Sequence, residues 1–339
     1  MRLHWHRRDL RAADNPGLAA AAADGPAVPV FVFDRDVLAH AGPPRVAFML
    51  DALDSLRSWY RERGSDLVVR RGDPREVLPE LAAEFDADGV TWGKEHSGLG
   101  RERDAEVRQA LDEADVTRQS VQDALLHEPG SIRTNQGEVY SVFTYFWKKW
   151  RDREKDDPVD PPDESDLAEV SDDEPLPTLA DLGFDEPEAD VPPAGTDVAR
   201  DLLDAFLADD VYEYDDRRDY PADECTSRLS AHLKFGTIGI REVHAAVREA
   251  KSAAAGADYD SAEEFESQLA WREFYSHVLW DEPSVVTENF KEYERDIEWN
   301  HDPEALQAWK DGETGYPIVD AGMRQLRAEA YMHNRVRMI

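Results

Sequence analysis

Three short stretches in the second half of the chain concentrate residue types that do chemistry. "TSRLS" (226–230) packs three hydroxyls and an arginine into five residues. Hydroxyls, backbone N–H groups and a guanidinium together suit a pyrophosphate. The same residues also read as a helix cap, which composition alone favours. In "QLAWREFYSH" (268–277), Gln268, Trp271, Arg272 and Tyr275 recur at i, i+3, i+4 and i+7 and so share a helix face. Trp and Tyr offer flat stacking surfaces and Arg a phosphate fork, although an aromatic packing cluster reads equally well. "YMHNRVRMI" (331–339) brings His333, Asn334, Arg335 and Arg337 within little more than a turn. Asn can read a base or ring edge and Arg can hold phosphate, whereas the plainer reading is an exposed polar face. The close glycines of "HLKFGTIGIREV" lack dinucleotide-fingerprint spacing.

These residues need elements to position them. Strand-like "RLHWH", "VPVFVFD", "DLVVRRGD" and "GVTWG" alternate with helical patterns such as "VAFMLDALDSLRSWYRERG", and "TRQSVQDALLHEP" closes the series. Repeated strand–helix order predicts an α/β domain over 1–130, a doubly wound, parallel five-stranded sheet. Ligands of such sheets bind beyond the carboxyl ends of the strands. Residues 131–198 turn acidic and proline-rich and predict a solvated linker without a partner. From 199 to 339 the periodicity is helical. Phe265, Leu269, Phe274, Val278 and Leu279 are placed for burial, and 331–339 reads as the middle of an amphipathic helix with Met332, Val336 and Ile339 on one side. The chain stops there without a helix-ending signal, which predicts a second domain whose last part is missing.

Composition bounds the function. The 339 residues carry 74 acidic and 39 basic side chains, a formal charge of −35. Such a surplus repels nucleic acid and anionic membranes at long range, unless salt shortens the Debye length to about 3 Å, as at 1 M. A high-salt habitat is one reading, and local basic clusters then decide the partners. The single cysteine, Cys225, excludes an internal disulfide framework and a cysteine-based metal cluster, and no metal site is expected. There is no signal-peptide pattern and no apolar run of spanning length, so a cytoplasmic monomer without a membrane partner is expected.

The three stretches together resemble the photolyase and cryptochrome flavoprotein family. "HWHRRDLRAADNPGL" resembles its opening strand and turn and "EVYSVFTYFWKKW" the end of its first domain. "TSRLS", "WREFYSH", "AWKDGETGYPIVDAGMRQL" and "MHNRVRM" resemble, in that order, its helical FAD-binding domain. Microbial photolyases that split cyclobutane pyrimidine dimers are the nearest type. The resemblance implies that Tyr214, Thr226, Ser227, Arg228, Leu229 and Ser230 hold FAD phosphates and ribitol, with Phe265, Arg272, Asn334 and Arg337 as further flavin contacts. It implies that Arg218, Trp271, Asn334, Arg335 and Met338 line the opening where damaged DNA presents its lesion, and that Trp299 ends an electron-transfer chain. Family members carry a deazaflavin or pterin antenna in the first domain. They also continue past the last residue here, which implies weak FAD binding by these residues alone.

Two departures matter. The glutamate that contacts the lesion in dimer photolyases is Gln268 here, which donates and accepts but carries no charge. An Asn-Glu pair of the folate pocket reads Leu99 and Gly100, which points to a deazaflavin or to no antenna. Gln268 also keeps open a cryptochrome-like photoreceptor. A nucleotide-binding α/β module with an unrelated helical partner requires every motif match to be chance.

Overall fold

The computed structural model describes residues 1–291, 293–295 and 298–338. The first half comprises β1 (Arg2–His6), α1 (Pro16–Ala23), β2 (Ala27–Phe33), α2 (Arg35–Leu38), α3 (Pro43–Arg61), β3 (Val68–Arg71), α4 (Pro74–Glu84), β4 (Gly89–Gly93), α5 (Gly98–Glu113) and β5 (Thr117–Val121). All strand pairs are parallel, in the order β3-β2-β1-β4-β5. The fold is the α/β sheet followed by a helical half that the sequence predicts. Every residue of β2 is buried, as expected for a strand covered on both faces. Its Pro29 pairs with His4 of β1, and the ladder to β3 begins only at Val30–Val68, so the missing N–H costs no bond on that side.

The second half comprises α6 (Phe143–Asp152), α7 (Thr196–Ala208), α8 (Tyr214–Arg217), α9 (Ser230–Phe235), α10 (Ile240–Ala253), α11 (Ala257–Asp281), α12 (Pro303–Asp311), α13 (Pro317–Glu329) and α14 (Asn334–Arg337). Its core gathers Phe146 and Trp150 of α6, Leu203 and Phe206 of α7, Val243 and Val247 of α10, and Phe265, Leu269 and Phe274 of α11. Val278 is only partly buried against it. The expected helix over 331–339 is broken. Ala330 takes a left-handed φ of 51° after α13, and α14 starts afresh with His333 Nδ1 accepting from Arg335 N at 3.2 Å. Ile339 lies outside the described residues.

The acidic stretch is not a free connector. Leu167 and Ala194 pack into the sheet's core, and Leu176, Leu182 and Val191 lie against it. Asp172 accepts from Val69 N at 2.8 Å and from Arg70, and the Asp172 and Glu174 carbonyls take both Arg57 Nη atoms at 2.7 Å. Acid density hid an apolar residue every few positions and basic partners that lie on α3 and β3.

A buried ionic lock joins the halves. Arg241 on α10 donates to Asp14 Oδ1 at 2.6 Å and Asp123 Oδ1 at 2.9 Å, and Arg11 donates to the same Asp123 oxygen at 2.5 Å. All four are at least 95% buried. The glycines of "FGTIG" make this approach feasible. Gly236 ends α9 at φ +69°, and a Cβ there would collide with the Arg8 carbonyl; a Cβ on Gly239 would collide with the Asp14 carboxylate. Close approach, not phosphate binding, explains their spacing.

Candidate flavin and lesion site

The hydroxyl turn sits between α8 and α9. Arg228 takes a left-handed φ of 52°, which folds 226–230 tightly, and Leu229 anchors the turn in the core. Its hydroxyls do not cap α9: no side chain bonds the first turn of that helix. Thr226 Oγ1 lies 3.3 Å from the Tyr331 hydroxyl, and Ser230 is exposed. The simple cap reading therefore fails, and a polar turn remains whose hydroxyls are little used within the protein.

The segment after α13 is strapped across this turn. Arg228 Nη2 pairs with Glu329 at 2.5 Å and its guanidinium lies 4.3 Å from the Tyr331 ring centroid. Arg335 pairs with Asp219. On the other side, Arg218 bridges Glu264 and Asp215, and Glu264 also accepts from Gln268 Nε2 at 2.7 Å. Arg218 lies 5.7 Å from the Tyr214 ring, and its buried Nε has no partner among the described residues. Burial pushes the Tyr214 phenol up to about 12, against the pull of Arg218. Asn334, Arg337 and Met338 are exposed beside Arg335, with Asn334 Nδ2 3.6 Å from Met338 Sδ. Thus α8, the 226–230 turn, the Glu264–Gln268 face of α11 and α14 share one polar surface.

Trp271 stands one turn beyond Gln268. Phe143 of α6 stacks on it at 3.7 Å and 10°, and Tyr275 at 5.5 Å and 26°. Phe143 is packed against the core, whereas Tyr275 is 62% exposed. The Tyr275 side of the stack is therefore the more open to solvent. The neighbouring Lys148 and Lys149 of α6 are exposed.

Other expected residues lie apart. Phe265 is buried among Phe206 and Tyr214, with ring centroids at 4.5 and 5.3 Å. Its side chain builds the core beneath the polar surface. Arg272 points to the junction of the halves and donates to Ala124 O at 2.7 Å and Leu233 O at 3.1 Å. Burial, then Arg8, lowers it to about 10. The i, i+4 spacing placed it beside Gln268, but carbonyls on both sides of the junction capture it. Trp299 is 71% exposed. Sequence reasoning passed over Phe143, Glu264 and Tyr331. The aromatic spacing of "FTYFWKKW" signals the first; nothing local signals the other two, whose partners are 46 and 105 residues away.

At the carboxyl ends of β1, β2 and β4 lies an apolar cavity of about 280 Å³, walled by Trp5, Phe31, Phe33, Leu38, Met49 and Phe235. Leu99 and Gly100 stand on its α5 side. Below it, His4, His6 and Asp9 converge, but each imidazole nitrogen already has a protein partner: Thr91 and Asp9 for His4, Asp9 O and Tyr60 for His6. Burial pushes His4 down to about 4, and the trio is a buried hydrogen-bond hub.

The profile of the DNA photolyase family matches residues 2–164, and that of the FAD binding domain of DNA photolyase matches 265–339. Deoxyribodipyrimidine photo-lyase of Halobacterium salinarum is 61% identical over all of this chain and 74% of its own length. A bacterial class III photolyase from Agrobacterium tumefaciens superposes with a TM-score of 0.89 at 34% identity, over 99% of this chain and 70% of that one. An archaeal photolyase from Sulfolobus tokodaii, solved with two FAD molecules, gives 0.82 at 28%, over 99% and 73%. A match that runs through both halves removes the reading of an unrelated helical partner. With the parallel sheet, the strapped hydroxyl turn and the Trp271 stack, these likenesses place the chain in the DNA photolyase family.

Proposed function

We propose that this protein carries out light-driven repair of cyclobutane pyrimidine dimers in DNA, with FAD as its cofactor. The observation that carries the reading is the single polar surface that joins the hydroxyl turn, Arg218 and α14 beside Trp271. The donor set fits FAD: hydroxyls not spent on capping and a buried Arg218 Nε without a partner among the described residues suit an anionic group. Tyr214, Thr226, Ser227, Arg228 and Ser230 would hold the phosphates and ribitol, and Asn334 with Arg337 the remaining polar edge. Phe265 and Leu229 support from below. Reduced FAD, when bound and excited, supplies one electron to the lesion and recovers it after the ring opens.

The protein's own residues present the lesion. A dimer inside a duplex has to leave the stack, and a damaged base does so at least cost; photolyases are themselves a standard example of such flipping. Trp271 receives the bases on the Tyr275 side while Phe143 backs the indole, and aromatic platforms contribute roughly 1–3 kcal/mol per base. Gln268, held by Glu264, faces the same opening with an amide that can donate and accept. Arg335, Arg337, Lys148 and Lys149 supply local positive charge in an acidic chain, and molar salt screens the long-range repulsion. The apolar cavity above β1 and β2 is the seat of an antenna chromophore, a deazaflavin or another flat ring. We assign the protein to the cytoplasm as a monomer.

The test is equilibrium binding of an oligonucleotide carrying one dimer, with FAD in excess and undamaged DNA as control. Trp271→Ala is expected to weaken damaged-DNA binding by about tenfold or more while undamaged DNA is unaffected. Equal losses on both DNAs would count against a lesion-stacking role.

A further inference from the structure

Three guanidiniums on the polar surface around the hydroxyl turn already hold a carboxylate. Arg218 pairs with Glu264, Arg228 with Glu329 at 2.5 Å, and Arg335 with Asp219. The partners stand 46, 101 and 116 residues apart in the chain, so the fold, not local helix spacing, makes each pair.

Asp219 differs from the other two acids. Glu264 also accepts from Gln268 Nε2 at 2.7 Å and Ser267 Oγ at 3.2 Å, and Glu329 from Gln325 Nε2 at 3.4 Å. The Asp219 carboxylate accepts from Arg335 alone among the described residues. It stands just past α8 with its side chain 62% exposed, against 34% for Arg335. The Arg335 bond above all, with Arg218 and His333 nearby, holds its carboxyl below the usual range, so it is charged at neutral pH. Parting the pair breaks no other contact of that carboxylate, and an exposed pair contributes little to stability.

A phosphate that takes Arg335 therefore frees Asp219. Each phosphate neutralised on duplex DNA ordinarily releases about 0.9 of a counterion, which is why such binding weakens as salt rises. A freed carboxylate gathers cations back from solution, and the net release falls. Salt also screens the repulsion between that carboxylate and the phosphates, since the Debye length is only about 3 Å at 1 M. Both effects flatten the response to salt.

We propose that Asp219 is a counter-charge built into the DNA interface, which Arg335 exchanges for a backbone phosphate, so that DNA affinity depends only weakly on ionic strength. This rests on the reading of the surface as a site for damaged DNA.

The experiment measures binding of the dimer-bearing oligonucleotide to the FAD-saturated protein between about 0.3 and 3 M KCl, with undamaged DNA alongside. Circular dichroism at each salt concentration restricts the comparison to folded protein. Asp219→Asn is expected to steepen the log–log slope by up to about 0.9, binding about eightfold more tightly than the wild type at the low end and equally at the high end. Asp216→Asn removes the same charge from an exposed position of α8 that makes no ion pair among the described residues, and is expected to change the slope much less. In an Arg335→Gln background, Asp219→Asn is expected to do no more than Asp216→Asn. A slope for Asp219→Asn no steeper than for Asp216→Asn, or one that steepens as much without Arg335, would overturn the exchange while leaving lesion recognition intact. Equal wild-type affinity for dimer-bearing and undamaged DNA would overturn that recognition and the exchange with it.

Discussion

Arg241 is the residue whose loss the structure predicts most sharply. Its guanidinium donates four hydrogen bonds, to Asp14 Oδ1, Asp14 O, Asp123 Oδ1 and Asp123 O, at 2.6 to 3.2 Å. Arg241→Leu would leave the buried Asp123 carboxylate with Arg11 alone and the buried Asp14 carboxylate with backbone N–H donors only. Removing one partner of a buried ion pair costs about 3–5 kcal/mol, because the remaining charge stays desolvated. An unfolding entropy of about 2.1 cal/mol/K per residue gives roughly 0.7 kcal/mol/K for a chain of this length, so the melting temperature should fall by about 4–7 °C. Calorimetry at molar KCl is the assay. The control is Arg118→Leu, which breaks an exposed, solvent-screened pair with Asp112 and should leave the melting temperature nearly unchanged. A double variant, Arg241→Leu with Asp14→Asn, should recover part of the loss. If Arg241→Leu melts within a degree or so of Arg118→Leu, the junction is not held by this network.

Further outcomes follow from the same geometry. Gly239→Ala should destabilise about as much as Arg241→Leu in the same calorimetric scan, since its Cβ would occupy the place of the Asp14 carboxylate. His232 is buried beside Thr237, and burial lowers it from 6.5 to about 4. The folded state then binds fewer protons than the unfolded one, so stability present above pH 6.5 is lost as pH falls toward 4, by about 2 kcal/mol at pH 5. His232→Gln should flatten that part of the melting-temperature profile, and an unchanged slope would refute the assignment. Tyr275→Ala should leave dimer binding intact or tighter, whereas Phe143→Ala should weaken it by loosening Trp271; the opposite order would place the base on the other indole face.

Patterns that repeat along the chain are legible in the sequence. The buried run of β2 and the stripe of Phe265, Leu269 and Phe274 each follow from local periodicity. Relations across the chain are not. The cores of both halves draw on 143–194, and there Leu167 and Ala194 stand among acids and prolines that dominate composition. Arg272 reads as part of the Gln268–Trp271 face, yet the carbonyls of Ala124 and Leu233 claim it. The break at Ala330 has no glycine or proline to announce it, and the His333 cap that restarts the helix is an unusual one. The motif residues stand out by type and spacing, but their grouping depends on Glu264, Asp219 and Glu329, ordinary acids in a chain full of them.

Light-dependent repair itself is decided by counting pyrimidine dimers in an irradiated oligonucleotide before and after blue-light exposure, with the purified protein, excess FAD kept reduced, and a matched dark sample. Loss of dimers in the light alone, reduced in Trp271→Ala, is the predicted result. Equal dimer counts in light and dark, with damaged DNA bound, would contradict it.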